Sequence, residues 1–191
     1  MSMAPVRRRL PPAERREEIL VTATGLIEGS GYQSLSLEAF ADACGMTKAG
    51  LLHHFSTKED LLIAVLQRRD ILGEAVVNRE VVPAADPATA RATTWSILQA
   101  NLRQPLFQQL YIRLSADALD PANPAYEYFR QRLGHARAVL SESVLAWHPD
   151  PAKAAVELLA FLDGVQLNWL RDPTIDVHGQ WELFADRFFR A

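Results

Sequence analysis

The sequence predicts an all-α protein with a short N-terminal helical domain and a larger helical domain behind it. Ala and Leu together account for 54 residues, whereas the β-branched Val, Ile and Thr account for 27. This excess of strong helix formers favours helices over strands. Proline is absent between Pro12 and Pro83 and then recurs at intervals, so prolines mark the breaks between the later helices.

Composition excludes several classes of protein. The chain has 191 residues, 49% of them apolar, and a formal net charge of −3, as expected for a globular protein. Its longest apolar run, Leu61–Leu66, is far shorter than the roughly 20 residues that span a bilayer. No signal peptide opens the chain, and the single Cys44 excludes an internal disulfide framework. Together these features predict a cytoplasmic protein without a membrane partner.

The first 60 residues contain several helix boundary signals. Pro11 and Pro12 suit the first turn of a helix that Gly29-Ser30-Gly31 ends. Its apolar positions follow helical spacing at Ile19, Leu20, Ala23, Leu26 and Ile27. Ser36 and Thr47 are N-cap candidates for two short helices that Gly45-Met46 separates. This order predicts a helix-turn-helix unit, although an αα-corner in a plain helical bundle would have the same spacing.

The second short helix would present a polar face. If Leu51 and Phe55 point to the core, the 100° step per residue turns Lys48, Ala49, Leu52 and His53 outward. Lys48 and Thr47 then lie in the first turn, where a helix in a major groove contacts bases and phosphates. His53 and His54 can donate to phosphates, and Lys58 opens the following helix beside its free N–H groups. These residue types suit nucleic acid better than an apolar partner.

Three runs resemble the DNA-binding domain of the TetR family: GYQSLS from Gly31, FADACGMTK from Phe40 and LLHHFSTKEDL from Leu51. The resemblance implies a homodimeric transcriptional regulator, most often a repressor, that a small-molecule effector releases from its operator. It also implies the DNA-facing positions Ser36, Thr47, Lys48, Gly50, His53, His54 and Lys58. The sequence departs from the family at Leu52, where a tyrosine that touches phosphate is usual, so we expect His53 to replace that contact.

The chain is predicted to divide into three segments. Residues 1–12 are predicted to form a disordered basic arm, residues 13–58 the helix-turn-helix domain, and residues 59–191 the ligand-binding and dimerisation domain. The arm carries Arg7, Arg8 and Arg9, which can follow a phosphate backbone, although a solubilising tail would look the same.

The C-terminal domain is predicted to contain helices near 87–103, 105–117, 123–147, 151–171 and 178–190. The segment 151–171 is apolar on nearly every face, which predicts that a second subunit covers one of them. Together with the last helix it resembles the four-helix dimer bundle of the family. The predicted dimer residues are Val156, Leu159, Leu167, Trp181, Phe184 and Phe188.

A ligand pocket is predicted from aromatic residues that alternate with isolated polar groups, as in small-molecule sites. Its candidate residues are Trp95, Gln99, Phe107, Tyr111, Tyr126, Phe129 and Gln166. Core packing is the alternative explanation for each of them. The pattern suits an apolar or aromatic effector of low molecular weight.

An enzyme is not predicted. The sequence has no HExxH, P-loop or GxGxxG motif. His53 and His54 point about 100° apart on a helix and cannot hold one metal ion together, and Cys44 is predicted to lie in the core. We therefore expect no cofactor and no metal. Two other classes remain open: an architectural DNA-binding dimer without an effector, and a helical protein-binding module.

Overall fold

The computed structural model describes residues 11–80 and 86–190, with side chains described except in 73–80. Every regular element in these ranges is helical, which confirms the all-α prediction. The helices are α1 Pro12–Ser30, α2 Leu37–Ala43, α3 Lys48–His54, α4 Lys58–Glu80, α5 Pro87–Leu102, α6 Pro105–Asp117, α7 Tyr126–Val139, α8 Pro151–Arg171 and α9 Val177–Phe188, and a π-helical turn, Leu140–Val144, follows α7. The chain divides into two compact units, and the boundary between them falls between Asp70 and Ile71.

The N-terminal unit combines α1, α2 and α3 with the first part of α4. Its buried side chains include Ile19, Ile27, Phe40, Leu51 and Leu61. The sequence predicts a boundary at 58/59, but the unit continues to Asp70. The first turns of α4 belong to it because they bury apolar side chains and because Arg68 Nε lies 2.7 Å from Glu17 Oε1 of α1.

The C-terminal unit has a core formed mainly by α5, α8 and α9, with the π-helical turn packed against it. The structure confirms four of its helices to within three residues at each end. The fifth, predicted over 123–147, differs: α7 begins at Tyr126 because Asn123 and Ala125 form a turn before it. After Val139 the backbone changes to a π-helical turn, in which Leu145 N donates to Leu140 O over 2.8 Å.

Helix α8 is amphipathic in the structure. Ala155, Leu158 and Leu162 are buried in the core, whereas Val156 and Ala160 on the other side are exposed. An amphipathic helix packs its apolar face against the core, and its opposite face is exposed to solvent or to another chain. Within 11–80 and 86–190, no helix combines the length and apolarity needed to cross a membrane.

Candidate nucleic-acid interface

Local signals in the sequence form the helix-turn-helix as predicted. Ser36 Oγ accepts a hydrogen bond from Ala39 N over 3.2 Å and caps α2. Thr47 Oγ1 accepts one from Gly50 N over 3.1 Å and caps α3. Between them Gly45 has φ 58°, a left-handed conformation that glycine adopts at little cost, so the chain turns sharply from α2 into α3.

Helix α3 has a buried side and an exposed side. Leu51 has no exposed surface, and Phe55 just beyond the helix is also buried. Lys48, Ala49 and His53 are exposed, in agreement with the helical-wheel prediction. Leu52, which the same prediction turns outward, is instead half-buried because it lies beside the buried Leu51. The buried side fixes the helix on the unit, and the exposed side is available to a partner.

Lys48 is held by Glu38, a residue that the sequence does not single out. Lys48 Nζ lies 2.7 Å from Glu38 Oε1 on α2, and both side chains remain about half exposed. The hydrogen bond from Lys48 lowers the pKa of Glu38 to about 2, and hydrogen bonds from its own backbone N–H and from Ser36 contribute. Glu38 is therefore a carboxylate at neutral pH. The sequence contains no signal for the pair, since the two residues are ten positions apart on different helices.

Two of the predicted DNA-facing residues, Ser36 and Thr47, have local structural roles, and Gly50 has none in packing. The side-chain oxygens of Ser36 and Thr47 accept capping hydrogen bonds. The Ser36 hydroxyl also donates to Glu38, whereas the Thr47 hydroxyl keeps a proton for a partner. A Cβ added at Gly50 would lie 3.4 Å from Thr47 Oγ1, which is an ordinary contact. Packing inside the unit therefore does not require glycine at this position.

His54 lies closer to the interior than the sequence indicates. Its ring is half-buried beside His53, with the two ring centroids 5.6 Å apart. Desolvation lowers the pKa of His54 below its usual 6.5, and the positive charges of His53, Arg15 and Arg16 lower it further. His54 is therefore harder to protonate than a free histidine, and its role at phosphate stays a prediction.

Lys58 is also engaged within the unit. Its Nζ donates to the carbonyl oxygen of Tyr32 over 2.9 Å and lies 5.9 Å from the centre of the Tyr32 ring. The helix N-terminus around it is capped, because Thr57 N donates to Asp60 Oδ2 and Asp60 N donates to Thr57 Oγ1. The predicted anion site at the start of α4 is therefore partly occupied by the protein's own carboxylate.

Two arginines of α1 brace the motif, and neither is predicted from the sequence. Arg15 Nη2 donates to the Cys44 carbonyl at the end of α2 over 3.0 Å. Arg16 Nη1 donates to the His54 carbonyl at the end of α3 over 3.0 Å, and its guanidinium lies 4.1 Å from the centre of the Phe55 ring. Cations at helix C-termini also interact favourably with the helix dipole.

Arg7, Arg8 and Arg9 of the predicted basic arm lie outside the described residues. Their role in binding DNA stays a prediction.

The seven predicted pocket residues divide between different environments. Tyr111 of α6 and Phe129 of α7 contact each other, with ring centroids 5.6 Å apart. Trp95 instead stacks on Trp181 of α9 at 5.9 Å and belongs to the aromatic core. Phe107 and Gln166 are buried, whereas Gln99 and Tyr126 are half-buried.

The structure corrects two of the predicted dimer residues. Trp181 is 1% exposed and Phe184 is 8% exposed within the single chain, so neither offers much surface to a partner. Both pack against Phe161 of α8, and Phe184 stacks on it with a centroid distance of 4.0 Å. Their spacing on α9 identifies an apolar face correctly, but that face covers α8 of the same chain. Of the other predicted residues, Val156 is 47% exposed, and Leu159, Leu167 and Phe188 are half-buried.

Comparison with known proteins places this motif in a family. Residues 19–65 match the family model described as bacterial regulatory proteins, tetR family. The chain is 42% identical over 60 residues to the HTH-type transcriptional activator FasR of Mycolicibacterium smegmatis, which is 31% of this chain and 27% of FasR. It is 36% identical over 61 residues to the repressor KstR2 of the same organism, which is 32% of this chain and 29% of KstR2. The chain thus matches less than a third of the length of these two curated relatives.

Solved structures extend the similarity beyond the N-terminal unit. The structure of AibR in complex with isovaleryl coenzyme A and operator DNA is 25% identical, with a TM-score of 0.64, and the match covers 92% of this chain and 98% of AibR. The helix-turn-helix and the family match lead to one conclusion: residues 19–65 form a DNA-binding domain of the tetR family of bacterial regulatory proteins, in a chain that shares the AibR fold over 92% of its length.

Proposed function

We propose that the protein is a transcriptional regulator that binds an operator in double-stranded DNA through α3. The observation that carries this proposal is the exposed face of α3, where Thr47, Lys48, Ala49 and His53 lie opposite the buried Leu51. A second helix of this kind can enter the major groove with its N-terminal residues against base edges. FasR and KstR2, which match this region, are named as transcriptional regulators.

Each exposed side chain has a role in such a complex. Lys48 donates to a guanine edge or a phosphate, and the Thr47 hydroxyl donates to a phosphate. The small side chain of Ala49 lets the helix backbone approach the groove. The half-buried Leu52 cannot form a hydrogen bond with a phosphate. The neighbouring His53 is exposed and supplies that contact instead.

Two copies of α3 are needed for a specific site, because one short helix reads only a few base pairs. We propose a homodimer that binds a palindromic operator and forms through the outward side of α8. Val156 is the predicted dimer residue that keeps the most surface, and half-buried Leu159 and Leu167 lie on the same helix. Leu183 of α9, which the sequence does not single out, is 63% exposed and can extend this surface.

We further propose that a small molecule bound in the C-terminal unit releases the protein from DNA, so that it acts as a repressor. The contact between Tyr111 and Phe129 and the buried polar Gln166 support a ligand site among α6, α7 and α8. The related AibR structure contains isovaleryl coenzyme A together with operator DNA, and KstR2 is named as a repressor. FasR is named as an activator, so a transcription assay with and without the effector has to decide the direction of regulation.

The experiment that tests the proposal is selection of genomic DNA fragments by the purified protein, followed by sequencing. We expect enrichment of a palindrome whose half-sites lie about one helical turn, roughly 34 Å, apart. Affinity for it should fall steeply with salt, and removal of residues 1–9 should reduce that slope because fewer counterions are released. Failure to enrich any sequence would overturn operator binding. Enrichment without any small molecule that alters affinity would favour an architectural dimer without an effector.

A further inference from the structure

Gln166 of α8 presents an unpaired polar atom inside the C-terminal unit. Its side chain is only 5% exposed, and its Nε2 donates to the Leu162 carbonyl over 2.7 Å. Its Oε1 is buried and accepts no hydrogen bond from any described residue. An unsatisfied buried acceptor costs free energy, so its retention calls for a physical explanation, such as a ligand that supplies the donor.

The orientation of the Gln166 amide identifies the unpaired atom as an acceptor. Exchanging its nitrogen and oxygen would place two oxygens 2.7 Å apart, since the partner is the Leu162 carbonyl. Only the observed orientation gives a hydrogen bond. A group that satisfies Gln166 must therefore carry an N–H or O–H donor.

Asp163 places a carboxylate one helical turn before Gln166, on the same side of α8. Its side chain is exposed, yet desolvation raises its pKa, and the positive charge of Arg132 on α7 opposes that rise. Asp163 is therefore open to water on one side and flanked by protein atoms on the other. No hydrogen bond from the described residues contributes to its pKa.

Arg132 of α7 lies close enough to Asp163 for its positive charge to act on the carboxylate. Both α6 and α7 pack against α8. The Arg132 guanidinium lies 4.4 Å from the centre of the Tyr111 ring, and Tyr111 in turn contacts Phe129. Aromatic side chains of α6 and α7 and oxygen acceptors of α8 therefore belong to three helices that pack together.

From this arrangement we infer that the effector is a small aromatic amine. Its N–H group donates to Gln166 Oε1, its positive charge lies beside Asp163, and its ring packs near Tyr111 and Phe129. A carboxylate ligand carries no donor for Gln166 Oε1, and the attraction of Arg132 for it is offset by the repulsion of Asp163. The inference rests on the effector site of the proposed function and names the ligand chemistry that this site accepts.

The test compares matched probes with the full-length protein in the absence of DNA. Tryptamine and 2-phenylethylamine are each paired with a carboxylate of similar shape, indole-3-propionate and 3-phenylpropionate. Calorimetric titration and thermal unfolding should show that the amines bind and stabilise the protein, whereas the carboxylates do so at least about tenfold more weakly. Stronger binding of the carboxylates, or no binding of either amine, would overturn the inference.

Two substitutions locate the site. Asp163→Asn should weaken amine binding about tenfold by removing a charge-assisted contact. Gln166→Leu should weaken it severalfold without lowering the Tm of the free protein, because the change removes an unsatisfied buried oxygen. Glu157→Asn, an exposed acid elsewhere on α8, is the control and should bind the amine normally. Unchanged amine affinity in both site variants would place the amine elsewhere and contradict the inference.

The failure of this inference is distinguishable from failure of the proposed function. Amine binding is measured without DNA, and operator affinity is measured without amine. If an amine binds but leaves operator affinity unchanged, the amine site is supported and its role in release from DNA is rejected. If the protein binds the operator but no amine, the proposed regulatory function is supported and amines are rejected as the effector class.

Discussion

Lys48 and Glu38 form an ion pair that joins the exposed face of α3 to α2, with Nζ 2.7 Å from Oε1. An exposed pair of this kind contributes little to stability, because water and salt screen it. It matters more for DNA, since Glu38 partly neutralises Lys48 and brings a negative charge to the surface proposed to face phosphates. The pair also limits the directions in which the long lysine side chain can point.

Replacement of Glu38 by Gln should therefore raise DNA affinity. We expect roughly fivefold tighter binding to non-specific DNA and a smaller gain on the selected operator, because one phosphate repulsion is lost at every site. Fluorescence anisotropy with both DNAs at several salt concentrations measures the effect. Glu157→Gln on α8 serves as a control for the change in net charge. Weaker binding to both DNAs by Glu38→Gln would show that Glu38 helps Lys48 by positioning it.

Lys58 should affect stability more than DNA binding. In Lys58→Met the Tyr32 carbonyl loses a hydrogen bond of 2.9 Å, which should cost about 1 kcal/mol in the free energy of unfolding. Denaturant unfolding of the full chain measures this loss, and operator affinity should change by less than in a Lys48 variant. A large loss of operator affinity with unchanged stability would instead make Lys58 a phosphate contact, as the sequence alone predicts.

The helix-turn-helix is predictable from the sequence because its signals are local. Ser36, Gly45 and Thr47 act through hydrogen bonds and backbone angles that involve only the next few residues, so a linear pattern identifies them. The surroundings of Lys58 and His54 are not local, so the linear pattern that predicts both residues at the DNA surface does not reveal their contacts inside the unit. Their partners, Tyr32 and Arg16, are 26 and 38 residues away and become neighbours only in the folded unit.

The C-terminal unit shows the same limit for apolar residues. Periodicity locates α8 and α9 and shows that α9 has an apolar face. It does not reveal whether that face meets the same chain or a partner, because both are apolar surroundings. The stacking of Phe184 on Phe161 gives the answer for Phe184 and Trp181, whereas Val156 keeps its surface.

This distinction gives separate expectations for Val156 and Phe184. Val156→Glu should produce a monomer with normal helicity, because its side chain lies on the proposed dimer surface and outside the core. Phe184→Ala should lower the free energy of unfolding by about 3–5 kcal/mol, since it empties a buried site. Analytical ultracentrifugation with circular dichroism separates the two effects. A Val156→Glu variant that remains dimeric would move the dimer surface away from this side of α8.

The central claim is that the exposed face of α3 binds operator DNA, and Lys48→Ala tests it most directly. Lys153→Ala is the matched control, because it removes the same charge from a lysine of α8 whose Nζ lies 2.8 Å from Asp150. The measurement is affinity for the selected operator at physiological salt, with helicity recorded for both variants. We expect Lys48→Ala to weaken binding at least about tenfold and Lys153→Ala to leave it unchanged, with both proteins folded. Equal affinities for the wild-type protein and Lys48→Ala would contradict the account.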